Sequence, residues 1–174
     1  MKTKFLYLAL ALFGLSFTAC SDDDDDVTPS QVPEVCTNAF ASKYPDVKNP
    51  KWEKNGTYYT AEWQDVARND VEAWFRPGVQ QSQSWAMTET DYGKNLFLVP
   101  AGLNQAFNKT EYATARIDDI ELFEYPDDTK NVYIFEVEPA GATQDMLLVF
   151  KASDYTFVKA IADTGQDITP DTLL

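Results

Sequence analysis

The chain has 174 residues, with 14 basic side chains against 28 acidic ones, a formal charge of −14 at neutral pH and no histidine. Such acidity excludes a nucleic-acid binder, which needs a basic footprint. Without histidine the Ser-His-Asp, Cys-His and histidine-bearing metal sites are excluded, and two cysteines are too few for an iron–sulfur or Cys-rich zinc centre.

Lys2 and Lys4 precede an apolar stretch from Phe5 to Phe17, which small Thr18-Ala19 closes just before Cys20. The stretch is too short for the ~20 apolar residues a membrane-spanning helix requires, and five aspartates follow it. The pattern resembles a bacterial lipoprotein signal, although Phe17 stands where such signals usually carry leucine. The resemblance implies removal of residues 1–19 and acyl chains on Cys20. By composition, the aspartate run within residues 20–30 reads as a solvated, self-repelling tether. It lacks the glycine and spaced ligands of a calcium loop. Ser21, Asp22, Asp23 and Asp24, directly after the cysteine, resemble the surface-export signal of one large group of Gram-negative bacteria. That implies an outer-membrane lipoprotein exposed on the cell surface, with the periplasmic face as the alternative.

Two stretches of the remaining chain read alike, which suggests an internal repeat, residues 31–95 and 96–165. Val32-Pro33 leads to Ala39-Phe40 and Tyr44; Val99-Pro100 leads to Ala106-Phe107 and Tyr112. Val32, Cys36, Ala39, Phe40 and Tyr44 share one helical face that Pro45 ends, and Val99, Leu103, Ala106 and Phe107 form the second stripe. After each helix the period becomes alternating. The first set of expected strands is Lys51-Trp52-Glu53, Tyr58–Trp63 beyond an Asn55-Gly56 hairpin signal, Val71–Arg76, and Ser84–Thr88 beyond a Pro77-Gly78 turn. The second is Ile120–Tyr125, Val132–Val137, Met146–Lys151 and Phe157–Ile161. Residues 166–174, within a polar end that starts at Asp163, read as a frayed tail. The fold class is α+β: two tandem helix-plus-four-stranded antiparallel units.

Alternation assigns the faces. Tyr59, Ala61, Trp63, Val71, Ala73 and Phe75, with Tyr133, Phe135, Val137, Met146, Leu148 and Phe150, are the predicted core beneath the helices. The opposite parity holds Tyr58, Glu62, Glu72, Trp74 and Arg76, a candidate binding face if it stays exposed and core if it is covered. Trp52, Trp63, Trp74 and Trp85 fall one per strand. Trp63 and Trp85 read as core, and Trp74, between Glu72 and Arg76, reads as the exposed hot spot. Cys36 reads as a small core residue, since no histidine could activate it.

The Val-Pro, Ala-Phe and Tyr-Pro steps, the Tyr-x-Ala-Glu-Trp strand at 59–63 and the Val-Glu-Ala-Trp-Phe strand at 71–75 resemble the PepSY-like, beta-lactamase-inhibitor-like domains of bacterial surface and periplasmic proteins. The resemblance covers roughly residues 30–165 and is looser in the second unit, which lacks the tryptophans and the Tyr-Pro. It implies one curved sheet with helices on its convex side and a concave face for a protein or peptide. Fold alone does not fix function.

Catalysis has little to stand on. Asp118-Asp119 and Asp127-Asp128 are adjacent pairs whose members diverge on a strand or lie in a turn. Glu62 and Glu72 could meet across neighbouring strands, but a hydrolase also needs a cleft. The sequence therefore reads as a monomeric, non-catalytic surface lipoprotein with no cofactor and no metal, binding a protein or peptide through Tyr58, Glu62, Glu72, Trp74 and Arg76. The alternatives are a carbohydrate-binding accessory and a structural envelope protein without a soluble ligand.

Overall fold

Nine antiparallel strands make one open sheet in which every strand pairs with its neighbours in sequence, in the order β1 to β9. The computed structural model describes residues 24–172, so the expected signal peptide, Cys20, Ser21, Asp22 and Asp23 lie outside the described residues. The strands are β1 (Asp24–Val27), β2 (Lys51–Asn55), β3 (Tyr58–Gln64), β4 (Asp70–Phe75), β5 (Trp85–Asp91), β6 (Arg116–Glu124), β7 (Val132–Glu138), β8 (Met146–Lys151) and β9 (Phe157–Ala162). Helices α1 (Glu34–Lys43), the single turn α2 (Gln81–Ser84) and α3 (Ala101–Phe107) complete an α+β fold. No described helix is long and apolar enough to cross a membrane.

Local chemistry explains the elements. Pro33 and Pro100 sit at the N-caps of α1 and α3, where a missing N–H leaves no bond unmade. Glu34 in the first turn and Lys43 in the last complement the α1 dipole. Gly56 adopts φ +57° in the β2–β3 hairpin, a left-handed conformation that glycine tolerates without strain.

Both apolar clusters beneath the helices follow the predicted parity. Under α1, Cys36, Ala39 and Phe40 pack on Trp52, Ala61, Ala73 and Phe75. Ala61 and Ala73 are cross-strand partners, and their small side chains leave room for the Phe40 ring, which meets Trp52 and Trp63 edge-on at 5.5 Å. Under α3, Leu103 and Phe107 pack on Ile120, Phe135, Leu148 and Phe150. Phe107 stacks on Phe135 at 4.9 Å.

Three expectations need correction. The aspartate run is not wholly a tether, since Asp24–Val27 pairs with β2 as an edge strand. Charge suits an edge, where it discourages pairing with other chains, and Lys51 Nζ lies 3.1 Å from Asp26. The second unit's first strand begins at Arg116 rather than Ile120. The polar C-terminal end is not frayed: Asp163 N donates to Asp145 O at 2.8 Å, and Ile168 packs against a buried cluster on the helix-free face.

Candidate functional site

Alternation along β2–β8 gives the sheet a second face, away from the helices, whose interior is also apolar. Tyr58, Trp74, Met87, Phe123, Ile134, Leu147 and Val149 form one buried cluster there, with Ile168 against it. Trp74 is only 2% exposed and meets Tyr58 edge-on, with ring centroids 5.7 Å apart. The expectation of an exposed Trp74 is therefore overturned. Nine strands in one sheet bring apolar residues from β3 to β8 together on this face, and the tryptophan becomes a foundation rather than a contact.

Carboxylates surround that apolar floor. Strand register sets Lys51, Glu62, Glu72, Glu89 and Phe123 side by side across β2 to β6. One pleat away on the same face, Asp70, Asp91, Glu121 and Ile134 form a second row. Like charges directly opposite each other oppose strand pairing. The rows border a cavity of about 200 Å³ walled by Glu53, Glu62, Glu72, Glu89, Glu121 and Asp167, with Trp74, Phe123 and Ile168 as its apolar lining.

Glu72 responds to this environment. Burial pushes its carboxyl up to about 8, with the Glu62 carboxylate the next cause, while the Thr60 hydroxyl and Trp74 N–H pull the other way. Neither Thr60 Oγ1 nor Trp74 Nε1 reaches hydrogen-bond geometry with a described group, although both are buried. At the far end of the row, Lys51 pairs with Glu53 and lies 3.9 Å from Glu62. Those contacts raise the Lys51 ammonium, the Glu53 hydrogen bond most of all.

Tyr58 is buried, and its Oη donates to Asp171 Oδ2 at 2.8 Å. The Arg76 guanidinium lies 5.5 Å from the Tyr58 ring centroid. Burial raises the Tyr58 phenol, and the Asp171 bond adds to it. The five expected residues thus share one face, with Glu62, Glu72 and Arg76 partly accessible and Tyr58 and Trp74 enclosed. Sequence reasoning missed Glu53, Glu89, Glu121, Asp167 and Ile168. Parity along each strand marks the first three. The β4–β5 register, which completes the row, is hidden by a bulge at Trp74/Phe75 and by α2.

Asp118, Glu138 and Asp145 bring carboxylate oxygens within 4.8 Å of one another. Arg116 already bonds Asp118 and Glu138, and Lys94 bonds Asp118 at 2.7 Å, so side-chain cations occupy the place a metal would take.

No family model and no curated protein matches the chain. Among solved structures, a BLIP-like protein from Bacteroides fragilis is 26% identical, with TM-score 0.66 over 79% of this chain and 92% of that one. The fold is BLIP-like. A DUF2874 family protein from Bacteroides uniformis, 21% identical, has TM-score 0.64 over 75% of this chain and 89% of that one. A protein from Bacteroides eggerthii, named provisionally as periplasmic, is 20% identical and has TM-score 0.62 over 75% and 88%. In this BLIP-like sheet the helices cover one face, and the acid-lined cavity opens on the other.

Proposed function

We propose that the chain is a non-catalytic lipoprotein, anchored through Cys20 and held at the cell surface by Ser21-Asp22-Asp23-Asp24. It binds a protein or peptide through the helix-free, concave face of its sheet. The observation that carries this reading is the row of facing carboxyl groups Glu62, Glu72 and Glu89 beside an enclosed aromatic floor. Its partly exposed acids give the face a charge that a complementary partner can use. The sequence of α1 with β2–β5, then α3 with β6–β9, supports descent from a duplicated unit with helices on the convex side.

Two features support a binding role over catalysis. The cavity of about 200 Å³ adjoins a more open hollow of about 550 Å³ over Glu62, Asp70, Glu72, Glu89 and Asp91, and together they form a broad acidic surface that suits an extended segment. The Glu72 carboxyl is raised first by burial and next by Glu62, causes that the packing of the row supplies without a reacting group. The sugar-binding alternative loses its platform, because Trp74 offers no free ring face.

The test places a photocrosslinking residue at Arg76 on intact cells. One discrete adduct is expected, and it should vanish when Glu62 and Glu89 are both changed to lysine while the circular dichroism spectrum is retained. An adduct pattern indifferent to that charge reversal would remove the face from consideration.

A further inference from the structure

The C-terminal segment lies on this face with a charge that does not suit it. Residues 163–172 contain Asp163, Asp167 and Asp171 and no lysine or arginine, and Asp167 joins the carboxylates around the cavity. The segment is nevertheless seated. Ile168 packs against the apolar cluster that includes Trp74 and Phe123, and Tyr58 Oη donates to Asp171. Beyond Asp163 the segment pairs with no strand of the sheet. Its own turn, with Thr172 N donating to Thr169 O at 3.1 Å, supplies local order. An apolar anchor and a phenol hydrogen bond hold an acidic segment against an acidic surface, an arrangement that a better-matched occupant can replace.

We propose that residues 163–172 form a displaceable strap over the binding face, and that the ligand replacing it is a basic peptide segment carrying an aliphatic residue beside lysine or arginine. This rests on the reading of the face as a peptide site. The aliphatic side chain takes the position of Ile168, and the cation lies over Glu62, Glu72 and Glu89. Among the described residues the cavity is lined by six carboxyl groups and no lysine or arginine, and charge complementarity governs which segment docks. Trp74 Nε1, buried beneath without a hydrogen-bond partner, supplies a donor for a carbonyl of the entering segment. The strap makes the site self-occluded, so the ligand's apparent affinity is lowered by the fraction of molecules with the strap closed.

Fluorescence anisotropy with two labelled, end-capped peptides, Lys-Ile-Lys-Ile-Lys and Glu-Ile-Glu-Ile-Glu, tests this on the full-length protein. The basic peptide should bind and the acidic one should not. Ile168→Ser should tighten binding of the basic peptide at least tenfold by loosening the strap. Asp171→Ala separates strap release from simple electrostatics. Losing a negative charge should weaken binding of a cation, whereas freeing the strap should strengthen it, and strengthening is expected. Thermal melting identifies a variant that fails to fold, and the other then carries the test. Unchanged or weaker binding by the folded variants overturns the strap while leaving the face intact. Equal binding of both peptides, or of neither, overturns the basic-segment assignment, and the Arg76 crosslink still judges the face independently.

Discussion

Glu62 and Glu72 stand directly opposite each other on β3 and β4, with Glu89 next in the same row on β5. Proximity and burial together hold Glu72 protonated well above the usual carboxylate range, up to about 8. A carboxyl whose folded pKa is raised binds more protons in the native state than in the unfolded one across that interval. Its contribution is therefore favourable at low pH and is lost as pH rises from about 4.5 to about 8. Each pKa unit corresponds to about 1.4 kcal/mol, so the loss attributable to Glu72 is at most about 5 kcal/mol. Glu72→Gln should be more stable than wild type at pH 8.5 and similar to it at pH 5, as read by urea unfolding at both pH values. A stability difference independent of pH would contradict the assignment.

Trp74 should behave as a core residue. Truncating a buried tryptophan costs about 3–5 kcal/mol because the site collapses only in part. Trp74→Ala should lower the urea midpoint accordingly, whereas Trp74→Phe should lose much less. A Trp74→Ala chain as stable as wild type would mean that the ring is not enclosed.

Gly102 lies in α3, where a Cβ would sit 2.7 Å from Tyr155 Cδ2 and 2.8 Å from Cε2. Alanine is intrinsically the better helix former by about 1 kcal/mol, but here the ring must move away from its packing on Tyr133. Gly102→Ala is expected to destabilise the protein by about 1–2 kcal/mol, measured by thermal unfolding. A gain in stability would show that Tyr155 yields freely.

Cys36 is fully enclosed between α1 and the sheet, and burial raises its thiol above the ordinary range. With Cys20 replaced by serine, labelling of the native protein by a thiol reagent at pH 8 should be slow and should track global unfolding. Rapid labelling of the folded protein would contradict this burial.

Surface display has a direct test. Protease added to whole cells should digest the protein, and changing Asp22, Asp23 and Asp24 to alanine should protect it. Digestion of both chains alike would remove the export role from these residues.

The sheet was legible where one strand's own pattern decided the matter. Alternation from Tyr59 to Phe75 and from Tyr133 to Phe150 gave the helix-facing core, and Asn55-Gly56 gave its hairpin. Opposed glutamates at 62 and 72 followed from strand adjacency. What escaped depends on partners distant in sequence. Trp74 is buried because β5 joins β6 and extends the sheet, bringing Phe123 and Ile134 onto its face. No periodicity within residues 71–76 contains that information. Glu89 joins the row through a β4–β5 register that a bulge beside Trp74 shifts. The C-terminal segment looked unstructured because its anchors, Ile168 and Asp171, are too few to form a pattern.

Nearest-neighbour strand order has a kinetic corollary. Each ladder joins strands consecutive in the chain, so the sheet can grow by adding one strand at a time, without waiting for remote ends to meet. The Tyr58–Asp171 bond is different, because it spans 113 positions. Closure over the helix-free face should then come late in refolding, after the sheet has formed, and stopped-flow fluorescence should register it as a final phase that Ile168→Ser removes. A molecule released at that moment leaves its assembly pathway already latched.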